Sequence, residues 1–237
     1  MLLSLRGLPR YVRDYLRFRS AYNGSFGILP CLHDWYETAG ETRNEYFWQD
    51  LLVAQKIFAA NPEKHVDVGS RVDGFVANVA SFRDIEVIDL RPISARIPGV
   101  KFRQADLMTS WEGMEGYCDS LSCLHALEHF GLGRYGDPIN SNGFEFGFAQ
   151  MARLLRKGGA FYLAVPIGKE RVEFNAGRIV NPTTIFRLAD KYYLKMENLT
   201  IVRADGFTEP FFPDDTDIVN LCNERRSLGV FVFKKLR

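Results

Sequence analysis

The chain is short of every feature that would set it outside ordinary globular proteins. Its 237 residues hold only four cysteines (Cys31, Cys118, Cys123 and Cys222), none in a Cys-x-x-Cys pair. Scattered thiols of this kind read as reduced, which excludes a disulfide framework and gives a cytoplasmic expectation. No run approaches the roughly 18 consecutive apolar residues of a membrane span. The stretch Met1–Leu5, followed at once by Arg6, lacks the long apolar core of a signal peptide. Neither sign of charge dominates: 30 basic residues face 29 acidic ones, a formal charge of +1. A general nucleic-acid binder would show a basic excess, so no nucleic-acid partner is expected. Repeats and low-complexity tracts are missing too. What remains is a chain 46% apolar and 25% charged. A chain of this length buries roughly 70% of its unfolded surface without help from disulfides or metals.

The periodicity divides this length in two. Over residues 8–19, Leu8, Tyr11, Val12, Tyr15 and Leu16 share one helical face, with Arg10, Arg13 and Arg17 on another. That arginine stripe has three readings: a solvated face, a lid bringing positive charge to an anionic acceptor, or weak membrane-surface contact. The stretch Gly24–Pro30 breaks the helix. Thr42 and Glu45 have capping-box spacing, and Phe47, Leu51, Ala54 and Phe58 then repeat at helical spacing until Asn61-Pro62. Residues 1–62 are therefore expected to form a helical extension. From residue 63 short strands alternate with helices. His65–Val68, Glu86–Leu90, Val100–Ala105, Tyr117–Cys123 and Ala160–Val165 read as strands, and Phe75–Phe82 as a helix. A second helix, on Phe144, Phe148, Met151 and Leu155, is expected to stop at Lys157-Gly158-Gly159. Strands joined by helical crossovers predict an α/β domain over 63–237, a mostly parallel sheet with helices on both faces. Thr200–Arg203 and Gly229–Lys234 complete it as an antiparallel edge.

Ligands of such sheets bind beyond the carboxyl ends of the strands. The first such end reads Val66-Asp67-Val68-Gly69-Ser70-Arg71-Val72-Asp73-Gly74. Gly69 suits a tight turn, and the next helix start offers free N–H groups. Asp67 suits an ammonium group better than a phosphate. Asp89 ends the second strand twenty residues after Gly69, where a carboxylate can accept from both hydroxyls of a ribose. Asp106 follows the third strand, placed to accept from an adenine amino group.

An acid, a glycine turn and two further acids at successive strand ends resemble the class I S-adenosylmethionine-dependent methyltransferases. The resemblance spans about residues 63–237. It implies a Rossmann-like, seven-stranded, mostly parallel sheet with an antiparallel strand, and S-adenosylmethionine as cofactor. It further implies that Asp67 and Gly69 hold the methionine end, Asp89 the ribose and Asp106 the adenine, with Ser70, Leu90, Leu107 and Leu121 completing the cofactor set. The sequence departs from that family's glycine-rich loop at Arg71 and Asp73, which stand where glycines are usual, with Gly74 shifted by one. A narrower similarity, to the DUF268 family of methyltransferase-like proteins, rests on His65–Arg71, on Glu128–Pro138 and on Val165-Pro166-Ile167-Gly168, and is expected over about residues 34–180.

The fourth strand runs into Leu124-His125-Ala126-Leu127-Glu128-His129. The resemblance puts this segment beside both the transferred methyl and the acceptor. His125 and His129 are then the candidate bases, with Glu128 able to orient one of them. The same letters spell the His-x-x-Glu-His zinc motif, but Gly131 and Gly133 interrupt the helix it needs, and no metal is expected. Arg134, Tyr135 and Asp137 in the glycine-rich loop, and Asn175 and Arg178 in the polar insertion 168–178, are candidate substrate contacts. Arg134 paired with Asp137 as a loop brace is the structural alternative. The expected function is methyl transfer to a small or glycan-like acceptor, including a nucleotide- or lipid-linked sugar. Two rivals are a catalytically inactive methyltransferase-like binding protein, suggested by Arg71 and Asp73, and a nucleotide-sugar enzyme of the same fold.

Overall fold

A computed structural model describes residues 3–109, 113–206, 208–211 and 215–237. The chain divides into two units, Met1–Thr42 and Arg43–Arg237. In the first, a turn at Leu3–Gly7 leads into helix α1 (Leu8–Ala21), with Pro9 in the first turn, where a missing N–H is harmless. The Arg10 guanidinium lies 3.2 Å from the centroid of the Trp35 ring. The Phe26 ring packs against Tyr15, Phe18 and Tyr22, with centroids 5.5, 5.7 and 6.2 Å away.

The second unit starts near residue 43, twenty residues before the boundary expected from the sequence. The reason is helix α2 (Glu45–Ala60), whose Val53 and Ile57 are wholly buried in one core with Phe75, Val76 and Val79. Its N-cap is Asn44, whose side chain accepts from the Tyr46 N–H at 2.9 Å, and not the expected Thr42. Strand β1 (His65–Val68) follows, then helix α3 (Val72–Val76, a wide first turn, continued by Ala77–Ala80). Next come β2 (Ile85–Asp89), β3 (Val100–Gln104) and β4 (Cys118–Leu124). Helix α4 (Gly143–Leu154) leads to β5 (Leu155–Ile167), a hairpin of β6 (Arg171–Glu173) and β7 (Gly177–Ile179), and helix α5 (Pro182–Lys191). Strands β8 (Leu194–Val202) and β9 (Thr208–Phe211), helix α6 (Asp215–Asn223) and strand β10 (Ser227–Lys235) complete the chain.

The sheet has eight strands in the order β3-β2-β1-β4-β5-β10-β8-β9, one more than expected. Strands β1 to β5 are parallel; β10 runs antiparallel between β5 and β8, and β9 adds an antiparallel edge. Pro210 fits that edge, where a missing ladder donor is tolerated. Helix α4 stops at Leu154, before the expected glycine stop. Leu155 pairs with Cys118 and Ala160 with Ser120, so residues 156–159 loop out as a bulge, with Gly158 at φ +79°. One face of the sheet is filled by Phe148, Phe161, Phe231 and Phe233, all fully buried. The other face is covered by α2 and α3. No described helix is long and apolar enough to cross a membrane. Strand order reverses between β1 and β4, and the crevice at their carboxyl ends is where this topology leaves room for a ligand.

Candidate active site

A cavity of about 440 Å³ occupies that crevice, within the range of small-molecule sites. Gly69 forms its edge at φ +70°, its N–H donating to the Ile88 carbonyl at 2.9 Å. A Cβ here would stand 2.9 Å from the Ala126 Cβ, so only glycine lets the β1 turn lie this close to the segment after β4. Arg71 and Asp73 do not obstruct the turn. Arg71 has φ −66°, a conformation open to any residue, and its exposed side chain pairs with Asp73 at 2.8 Å. Gly74 serves packing: a Cβ there would meet an Asp50 carboxylate oxygen of α2 at 2.5 Å.

Asp67 lies beneath the cavity floor, fully buried. Its carboxylate accepts from the Ser70 N–H (3.0 Å), the Ser70 hydroxyl (2.6 Å) and the Ser122 hydroxyl (2.6 Å). Burial pushes it up to about 6 against the pull of those bonds. Because Ser122 gives its proton to Asp67, it accepts from His65 Nε2 at 3.1 Å, and His65 Nδ1 then accepts from Ser120 at 2.7 Å. Burial drives His65 down to about 3, so it is neutral in this chain of bonds. Ser70 caps the network by accepting from the Leu124 N–H, and Leu121 sits wholly in the core. Asp67, Ser70 and Leu121, expected at the cofactor, lie behind the residues that line the cavity.

The wall is built by Ile88, Asp89, Leu90, Asp106, Leu107 and Met108 at the ends of β2 and β3. The Asp89 carboxylate takes the Arg91 backbone N–H at 2.8 Å and its guanidinium in a fork of 3.1 and 2.8 Å. Asp106 turns one oxygen to the Met108 N–H at 2.8 Å.

Opposite this wall, the two histidines part company. His125 has φ +53° and only Leu127–His129 forms a short turn, so the sustained helix of a zinc motif is not made. Its ring lies tilted against Tyr46, with centroids 4.6 Å apart, and is nearly buried. Nδ1 meets Glu128 at 2.7 Å and Nε2 meets Glu45 at 3.2 Å. Burial opposes its charge, yet the two carboxylates outweigh burial and lift it to about 9. Glu45, also bound by Arg226, is held down at about 2 although burial works the other way. His125 is thus an imidazolium, hydrogen-bonded to Glu128 through Nδ1 and within ion-pair distance of Glu45 at Nε2, which makes no hydrogen bond among the described residues. His129 lines the cavity, lowered from its usual value by burial and by the Arg134 charge, and so neutral near pH 7. Its Nε2 is 3.8 Å from Glu128 Oε1, and its ring meets Tyr135 edge-on at 5.5 Å. Glu128 Oε2 is buried and has no hydrogen-bond partner among the described residues.

Of the expected substrate contacts, Tyr135 stands at the cavity between two guanidinium groups, Arg91 at 4.3 Å and Arg134 at 5.2 Å. Arg134 donates to the Ala176 carbonyl at 2.5 Å, tying the loop to the β6–β7 hairpin. Asp137 braces its own loop by accepting from the N–H groups of Gly131, Gly133 and Tyr135. Buried Arg178 donates to the carbonyls of Glu128 and Phe130 at 3.2 and 2.6 Å, and Asn175 is exposed and away from the cavity. Sequence reasoning gave Glu45 a capping role only and did not single out Tyr46, Arg91 or Arg226. Only Arg91 carried a signal, its spacing of two from Asp89.

Strand order and antiparallel insertion define the class I methyltransferase fold, and solved structures agree. A 1,6-didemethyltoxoflavin-N1-methyltransferase of Burkholderia thailandensis, with S-adenosylhomocysteine bound, is similar at a TM-score of 0.58 and 14% identity, over 97% of this chain and 87% of its own. A TehB-like S-adenosylmethionine-dependent methyltransferase of Corynebacterium glutamicum gives 0.54 and 17%, over 96% and 97%. The [4+2]-cyclase SpnF gives 0.59 and 12%, over 84% and 85%. The chain is therefore a class I methyltransferase-like protein in fold. More narrowly, residues 94–192 match the DUF268 family, described as a Caenorhabditis protein of unknown function. That match takes in the histidine loop and the hairpin and leaves out the His65–Arg71 turn. No curated protein matches the chain.

Proposed function

We propose that this protein is an S-adenosylmethionine-dependent methyltransferase acting on a small acceptor that carries a hydroxyl or amine. The observation that carries the reading is the facing of two surfaces across one cavity: the Gly69, Asp89 and Asp106 wall, and neutral His129 beside Glu128. The wall suits the cofactor, because Gly69 puts no side chain at its edge and Ile88, Leu90, Leu107 and Met108 offer apolar surface to an adenine. Asp89 would hold the ribose and Asp106 the adenine edge. S-adenosylmethionine, when bound, supplies a methyl group activated by its sulfonium. The protein's own share is to align the acceptor and take its proton. His129, neutral and at the cavity, would do so on giving up the 3.4 Å contact of its Nδ1 with Arg134; His125 fixes Glu128 instead. A phosphate-bearing sugar acceptor draws little support, since Arg134 and Arg178 are spent on backbone carbonyls.

One observation favours a binding protein without catalysis: Asp89 is already forked by Arg91. Calorimetric titration with S-adenosylmethionine and S-adenosylhomocysteine separates the two. Binding should weaken about tenfold or more in Asp89→Ala, the loss of one charge-assisted hydrogen bond. Arg91→Ala should bind at least as tightly as the parent. No heat from the parent protein removes the methyltransferase reading. Binding without release of S-adenosylhomocysteine across a panel of amines and alcohols replaces it with the inactive one.

A further inference from the structure

The first unit carries an apolar helix face of its own. At about 100° per residue, α1 gathers Leu8, Val12, Tyr15, Leu16 and Phe18 over one arc, joined in the last turn by Arg19, and Arg10, Arg13 and Arg17 over the opposite one. None of its fourteen residues is buried, and Leu16 and Phe18 are 61% and 57% exposed. The loop after it adds Ile28 and Leu29, at 65% and 84%. Single exposed apolar side chains are ordinary, but a contiguous stripe with aliphatic and aromatic members implies a surface that covers it. Between Leu3 and Pro30 the chain has five arginines and one acid, Asp14, which Arg10 and Arg13 already share.

We propose that this face docks on an anionic lipid bilayer, with α1 lying in the plane of the headgroups. An apolar stripe backed by a basic one is the pattern of helices that settle at such an interface. The Tyr15, Phe18 and Tyr22 rings, each in contact with Phe26, supply the aromatic surface favoured at headgroup depth. Charge complementarity selects the occupant. A segment with five arginines and one acid is complemented by an anionic surface, and not by a second, equally basic copy. The inference stands on the first unit alone and does not depend on what the cavity binds.

The test is flotation of the full chain with vesicles of phosphatidylcholine alone and of equal parts phosphatidylcholine and phosphatidylserine. Each arginine near an anionic surface is worth a factor of about five, so three of them should raise partitioning roughly a hundredfold on the anionic vesicles. Leu16→Glu should abolish flotation, and Arg13→Glu with Arg17→Glu should remove the preference for phosphatidylserine. Both variants should keep the parent's melting temperature. Absence of flotation on either vesicle overturns the proposal, as does flotation unchanged by Leu16→Glu. A concentration-dependent dimer that Leu16→Glu dissociates, without vesicle binding, assigns the face to a second copy. A melting temperature lowered by Leu16→Glu makes the stripe a packing surface of the folded chain.

Discussion

Replacing Glu45 by glutamine keeps the shape of the α2 start and removes one of the two carboxylates that hold His125 charged. An imidazole lifted from 6.5 to about 9 is worth about 3 kcal/mol of folding free energy. The fall of Glu45 to about 2 is largely the same attraction seen from the carboxylate, so the two are counted once. The direction in pH follows from each group. His125 binds its proton more tightly when folded, so its contribution is complete below pH 6.5 and is lost as the pH rises through 9. Glu45 is more acidic when folded, so its share is complete above pH 4.5 and is lost only as the pH falls through 2. The full effect therefore lies between pH 4.5 and 6.5. Urea unfolding from about pH 5 to about pH 10 should show the parent losing about 3 kcal/mol, and Glu45→Gln roughly half that. Titration of the His125 ring by NMR gives an independent reading, with a value well below 9 in the variant. Identical pH slopes in the two proteins, or a parent His125 that titrates near 6.5, would refute the charged-pair assignment.

Two further outcomes follow from the same loop. His129→Gln should lower kcat by about a hundredfold or more, the usual worth of a positioned base. The parent's kcat/KM should be flat above pH 7 and fall on the acid side with an apparent value under 6.5, because burial lowers His129. An unchanged kcat in the variant removes the base assignment. Arg178→Ala should cost about 3 kcal/mol, since two carbonyls lose a charged donor. That is roughly 10 °C in melting temperature for a chain of this size. Arg178→Lys should recover only part of it, because one ammonium can replace Nη1 on the Glu128 and Phe130 carbonyls but cannot also supply Nη2, which reaches the Ser141 carbonyl at 3.5 Å. Full rescue by lysine would show that a single charged donor at the Nη1 position holds the loop.

Much of the fold was legible because local patterns carry it. His65–Val68 was read to the residue, and the other parallel strands within a few positions, except that β5 begins five residues early. Runs of buried β-branched residues between turn signals leave little freedom. Asp89, Asp106 and Gly69 could likewise be found by counting from strand ends, since topology places those ends together. Errors arose where two conformations were locally equal. Lys157-Gly158-Gly159 suits a helix stop as well as a strand bulge, and only pairing with β4 decides. Asn44, not Thr42, caps α2, because Glu45 turns inward to Arg226 and His125.

By itself the sequence determined the alternation of strands and helices, the glycine turn and the acids at the strand ends. Each of these depends on neighbours within a few residues. The tertiary structure alone decided what each polar group does. Asp67 and Ser70 went under the floor because Ser122 and Leu124, more than fifty positions away, meet them there. His125 became a cation because Glu45, eighty residues earlier in the chain, faces Glu128 across it. Protonation and hydrogen-bond roles are set by burial and by charges brought close through folding, and no spacing along the chain records those distances.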